Sequence, residues 1–116
     1  MNSMVEIQAV VREDMLDRVV HQLKEADCPR LIVTRVHSIG AGVDPGAERY
    51  SVDEGSAYAE KALVSFICAA ERCDMYIELI ARVGRTGFRG DGFVSVRPVE
   101  DVVKIRTGGR GLDALA

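Results

Sequence analysis

Glycine and positive charge are bunched in residues 84–111, which hold seven of the eleven glycines, five arginines and Lys104. Two short segments carry the pattern, Thr86-Gly87-Phe88-Arg89-Gly90-Asp91-Gly92 and Arg106-Thr107-Gly108-Gly109-Arg110-Gly111, with an apolar stretch between them. Glycine lets backbone N–H groups approach a ligand closely, and arginine sets charge beside them. A phosphate group needs both. The same residues also fit two ordinary tight turns with solvated arginines.

Other groups with chemical potential are fewer. Cys28, Cys68 and Cys73 are odd in number and form no CxxC, so they read as small buried hydrophobes in a reduced, cytosolic compartment rather than as a disulfide or metal set. His21 falls on a polar helix face, and His37 neighbours a long loop. Asp44, Glu48, Asp53, Glu54 and Glu60 lack the ordered spacing of a cation loop and suit a solvated segment facing a basic partner. No Ser/His/Asp or Cys/His arrangement and no Walker loop is present, so no residue set points to an enzyme.

The elements that must hold these groups follow from periodicity. A chain of 116 residues suggests one domain with one core. The net charge of −3 argues against nucleic acid as partner, and no apolar run reaches membrane-spanning length. No signal peptide is visible at the start. Residues 5–12 alternate as a strand, with Val10 the apolar member of the polar face. Asp14 caps a helix carrying Met15, Leu16, Val19, Val20 and Leu23 on one side, which Pro29 stops. Residues 31–37 form a second strand. Residues 38–61 lack a period, exceed ordinary loop length, and read as a protruding loop with a β-like base. Residues 62–69 form a buried strand, 71–83 a helix burying Met75, Tyr76, Leu79, Ile80 and Val83, and 93–97 a strand ending before Pro98. A glycine-rich, flexible tail is expected over 107–116. The order β-α-β-β-α-β predicts an α+β, ferredoxin-like sandwich, a four-stranded antiparallel sheet with both helices on one face. The uncovered face, with Val10 and Ile32, calls for an oligomer.

Laid along this frame, the chain resembles the PII signal-transduction proteins. The residues that carry the resemblance are Arg85-Thr86-Gly87, Gly90-Asp91-Gly92, the strand 93–96, Pro98-Val99-Glu100 and Lys104-Ile105-Arg106-Thr107-Gly108, in order and spacing. Gly40, the loop length and Lys61 at the far base of the loop agree. The resemblance covers about residues 4–115. It implies a homotrimer, a regulator and not an enzyme, that binds ATP or ADP in clefts between subunits and holds no prosthetic group. It implies that Gly90, Asp91 and Gly92 cradle the phosphates, that Lys104 and Arg106 reach them across the subunit boundary, and that Val10, Ile39, Gly40 and Ile67 wrap the nucleoside. The long loop, with Asp44, Tyr50, Glu54 and Tyr58, would meet the partner, a membrane transporter or a regulatory enzyme.

Three departures qualify this. Phe93 stands where the family carries lysine after the Gly-Asp-Gly turn, which predicts a bias toward ADP or AMP over ATP. Ala41-Gly42 replaces the family's arginine-glutamine pair, which puts magnesium and 2-oxoglutarate in doubt. Glu54 occupies the position where some members carry a modified tyrosine. The departures point to a divergent branch beside a transporter, without the C-terminal cysteine pair of some carbon-linked members. Competing expectations are an ordinary nitrogen regulator responding to ATP and 2-oxoglutarate, a metal-handling trimer similar to copper-tolerance proteins, and a small nucleotide-dependent enzyme.

Overall fold

The structure is a computed structural model and describes residues 3–41, 46, 48–53 and 55–116. The chain order is β1 (Met4–Arg12), α1 (Leu16–Glu25), β2 (Ile32–Ser38), β3 (Arg49–Ser51), β4 (Ser56–Ala69), α2 (Cys73–Gly84) and β5 (Phe93–Val99). The main sheet runs β2-β4-β1-β5, and every neighbouring pair is antiparallel. This is the ferredoxin-like order. The short β3 pairs with the start of β4, Arg49 opposite Tyr58.

Alternation decides which side of the sheet is dry. Ile7, Ala9 and Val11 of β1 and Ala62, Val64, Phe66 and Cys68 of β4 share one buried cluster with Leu16, Val19 and Leu23 of α1 and Tyr76, Leu79 and Ile80 of α2. Both helices therefore cover the same face. Phe66 meets Tyr76 edge-on, with ring centroids 5.1 Å apart, a favoured aromatic geometry. On the other face, Val10 lies between Leu63 and Phe93, and Ile32 lies beside Ser65. Ile32 and Phe93 are each 64% exposed.

Several boundaries differ from the sequence expectation. Asp14 lies in a 3-10 turn, Glu13–Met15, and α1 starts after it with no side-chain cap. Met75 is exposed, because α2 turns Tyr76, Leu79 and Ile80 inward. β4 begins at Ser56, inside the segment read as loop, since pairing with β3 extends it. β5 continues through Pro98 to Val99. A proline is tolerated there because β5 is an edge strand, where one side needs no N–H donor. The segment expected to be a flexible tail is folded back. Val103 bridges Arg110, and a 3-10 helix, Gly111–Leu115, buries Ala114 and Leu115.

The connector between α1 and β2 is tied unusually firmly. Cys28 N–H bonds Leu23 O at 3.0 Å and Asp27 N–H bonds Lys24 O at 3.1 Å. Asp27 has φ 60°. Together these make a Schellman end with aspartate in the left-handed position. The Ala26 carbonyl accepts from Tyr76 OH at 3.1 Å and from Arg72 Nη2 at 2.7 Å. Pro29 then fixes the approach to β2.

Candidate functional site

The turn between α2 and β5 is built around one carboxylate. Asp91 accepts the Thr86 N–H at 2.9 Å and the Gly87 N–H at 2.8 Å. It also accepts the Thr86 hydroxyl and Arg12 Nε, the latter at 2.9 Å. Partial burial works to raise the Asp91 pKa, but the bonds from Thr86, Arg12 and Gly87 outweigh it and hold the carboxyl well below the usual carboxylate range. Arg12 also donates to the Arg89 carbonyl. Lys61, only 4% exposed, donates to the Gly90 carbonyl.

Glycine is obligatory at position 92. Its φ is +93°, and a Cβ there would stand 1.7 Å from the Val10 carbonyl oxygen. No side chain fits so close to a backbone. The turn is thereby pressed against β1 and opens onto a cavity of about 360 Å³ lined by Val10, Ser38, Ala41, Lys61 and residues 88–93. Among the described residues the Arg89 and Gly90 amides form no hydrogen bond, so they remain available to an anion. Phe88 and Phe93 border the cavity as exposed rings.

Of the residues expected to bind nucleotide, Val10 and Gly90, Asp91 and Gly92 meet at this cavity. Ile39 borders the adjoining hollow on the open sheet face, with Val10 and Phe93. Gly40 follows directly, with φ +109°. The Asp91 carboxylate itself is directed into the turn, onto Thr86, Gly87 and Arg12.

Ile67, Lys104 and Arg106 lie at the other end of the sheet. Ile67 pairs with Glu6, whereas Val10 pairs with Leu63. Lys104 and Arg106 follow β5, whose seven residues separate them from the turn by ~20 Å at ~3.4 Å per residue. There they line a second cavity of about 520 Å³. Arg30 lines it too, a residue the sequence reading passed over. Within one chain the two halves of the expected site do not meet.

The long-loop residues divide similarly. Tyr50 is exposed on β3. Tyr58 stacks on His37 at 3.9 Å between centroids. Asp44 and Glu54 lie outside the described residues, as does Gly42. His21 stands 3.9 Å from Glu25 on the exposed face of α1. Burial pushes the Cys28 thiol up to about 12 and the Cys68 thiol to about 11, in keeping with packing groups. Among the described residues no group of three or more His, Cys, Asp or Glu stands where it could hold a metal ion. No described helix is long and apolar enough to cross a membrane.

A ferredoxin-like sandwich with a glycine turn on one end and a basic tail on the other is thus defined. The family described as Nitrogen regulatory protein P-II matches residues 4–109. A Nitrogen regulatory protein P-II of Rhizobium meliloti (strain 1021) is 35% identical, over 97% of this chain and 100% of its own. Among solved structures, Arabidopsis thaliana PII bound to citrate superposes with a TM-score of 0.81 at 26% identity, covering 97% of this chain and 92% of that one. A B. subtilis GlnK-ATP complex shares the fold, with a TM-score of 0.77 at 22% identity and 96% of each chain covered. The chain belongs to the PII family of nitrogen regulatory, signal-transduction proteins.

Proposed function

We propose that this PII protein binds an adenine nucleotide between subunits of a homotrimer, and through the long loop over residues 38–61 controls a partner, a membrane transporter. The observation that carries the reading is the division of the expected ligand residues between opposite ends of the sheet. The turn end has close-packed glycines and available amides. The tail end has Lys104 and Arg106 around a cavity. Each is half of an anion site. A closed ring of copies, packed head to tail, brings one subunit's turn to its neighbour's tail. The ring also covers the exposed apolar sheet face that includes Ile32 and Phe93.

Phe93 sets the nucleotide preference in this reading. It borders the cavity beside Gly92 but offers no charge to an outer phosphate. Losing a charged hydrogen bond costs ~1.5–3 kcal/mol, about tenfold to a hundredfold in affinity. ADP and AMP are favoured over ATP accordingly. Ala41 also lines this cavity and brings only a methyl group, so 2-oxoglutarate finds no side-chain amide there.

Calorimetric titration with AMP, ADP and ATP, each with and without 2-oxoglutarate and bicarbonate, tests this. Nucleotide binding without a 2-oxoglutarate effect is expected. Tight, magnesium-dependent ATP binding strengthened by 2-oxoglutarate would instead make this an ordinary nitrogen regulator. Phe93→Lys should strengthen ATP binding more than AMP binding; an equal change in both sinks the account of Phe93.

A further inference from the structure

The tail-end cavity contains a cation that the functional reading above did not use. Arg30, Lys104 and Arg106 all line it, and no acidic side chain does so among the described residues. Arg30 comes from the opposite edge of the sheet, just before β2, while the other two follow β5. The folded-back tail crosses the end of the sheet and brings them together.

We infer that Arg30 is a third anion-binding cation of this cavity, and takes part of the phosphate charge of the nucleotide. This rests on the nucleotide reading for the ligand's identity, but not for the anion site itself. The first support is placement. Arg30 is carried by the connector that the Schellman end, Pro29 and the bonds from Tyr76 and Arg72 to Ala26 O hold in place. Its backbone is thus preorganised while its side chain is exposed.

The second support is the quality of its present bonds. Arg30 Nε reaches the Leu115 carbonyl at 3.3 Å, and its Nη2 reaches the Ala116 carbonyl at 3.4 Å. Both contacts are long for N–H···O bonds. A guanidinium on phosphate closes to ~2.7–2.9 Å with two parallel bonds. Lys104 Nζ rests on the same Ala116 carbonyl at 2.8 Å. Arg106 has no hydrogen-bond partner among the described residues. The tail oxygens therefore hold Arg30 only at long range, and an arriving phosphate can draw its guanidinium into closer, bidentate bonds. Arg30 also supplies positive charge to a site whose other half carries Phe93.

The test is titration of the full chain with inorganic pyrophosphate, AMP, ADP and ATP, comparing wild type, Arg30→Gln and Arg30→Lys. Removing the guanidinium should weaken binding ~10-fold or more, the loss of a charge-assisted bond. The deficit should grow from AMP to ATP, and Arg30→Lys should recover part of it. Equal nucleotide affinity in wild type and Arg30→Gln overturns the inference and leaves the nucleotide reading standing. Pyrophosphate binding that needs Arg30, with no nucleotide binding, does the reverse. No binding of either probe by wild type removes both. A uniform loss in both variants, with a lower Tm and no dependence on phosphate number, would reduce Arg30 to an anchor for the tail and overturn the inference.

Discussion

The two ends of the sheet use charge in opposite ways. At the turn end, the charges serve the architecture. Asp91 is held by the Thr86 hydroxyl, and by the Thr86 and Gly87 N–H groups and Arg12 at 2.8–2.9 Å, and Lys61 is buried on the Gly90 carbonyl. What faces outward is shape and backbone N–H. At the tail end, the backbone is held by its own bonds, Gly108 N–H to Lys104 O at 2.7 Å and Lys104 N–H to Gly109 O at 2.8 Å, and the charged side chains are left near the surface. Arg30 rests on contacts of 3.3 and 3.4 Å, and Ile105 at the hairpin is 99% exposed. In the proposed function, a site assembled from both would combine a fixed turn with exposed side-chain charge. Preorganised shape limits the entropy lost on binding, and the long contacts of Arg30 limit the bond-breaking cost.

The contrast is sharpest for a single methyl group. Gly92→Ala sets a Cβ on the Val10 carbonyl in a left-handed backbone. It should destabilise by well over ~3 kcal/mol, beyond the ordinary range for one substitution, and be read as loss of the cooperative thermal transition. Gly108→Ala at the tail end has φ +76° but open space around it. Only the backbone strain of ~1–2 kcal/mol applies there. Equal losses at the two positions would break the comparison.

Next in size is Asp91→Asn, which keeps the shape and removes the charge. A cost of ~1.5–3 kcal/mol is expected, measured by urea unfolding. At the tail end, Asp101→Asn, where the ion pair to Arg110 is exposed, should leave the midpoint almost unmoved. Acid sharpens this. The folded Asp91 pKa lies below its unfolded value. Its stabilisation is therefore complete above ~pH 4 and is lost as pH falls through the lower folded pKa. Asp91→Asn should flatten the stability profile in that acid window, and an unchanged profile would show that Asp91 is not the group responsible.

A smaller loss than that of Asp91→Asn is expected at the connector that carries Arg30. Tyr76→Phe removes the hydroxyl donor to Ala26 O, worth ~1 kcal/mol. Arg72 still donates there, so the melting point should fall by only about 4 °C.

Much of this was legible in the residues. The alternation in 5–12 marked Ile7, Ala9 and Val11 for one face and left Val10 on the other, because side chains on a strand have period two. The amphipathic helices followed, apart from Met75. The positive-φ turn was legible in Gly90-Asp91-Gly92, since glycine adopts that backbone without penalty. The β4 extension was not, because its first residues are held by pairing with β3 and carry little periodicity of their own. Nor was the run of β5 through Pro98, which depends on β5 being an edge.

Local chemistry alone thus determined the element order, the buried faces and the presence of a glycine-and-cation surface, because each depends on residues near in sequence. Tertiary structure decided the rest. It turned Asp91 inward, since four donors from the turn and β1 converge on its oxygens. It set the turn and the basic tail at opposite ends of β5, and it brought Arg30 to Lys104 and Arg106 from the far edge of the sheet. Strand order and the path of the tail create that meeting, and neither is carried by the spacing of any one segment.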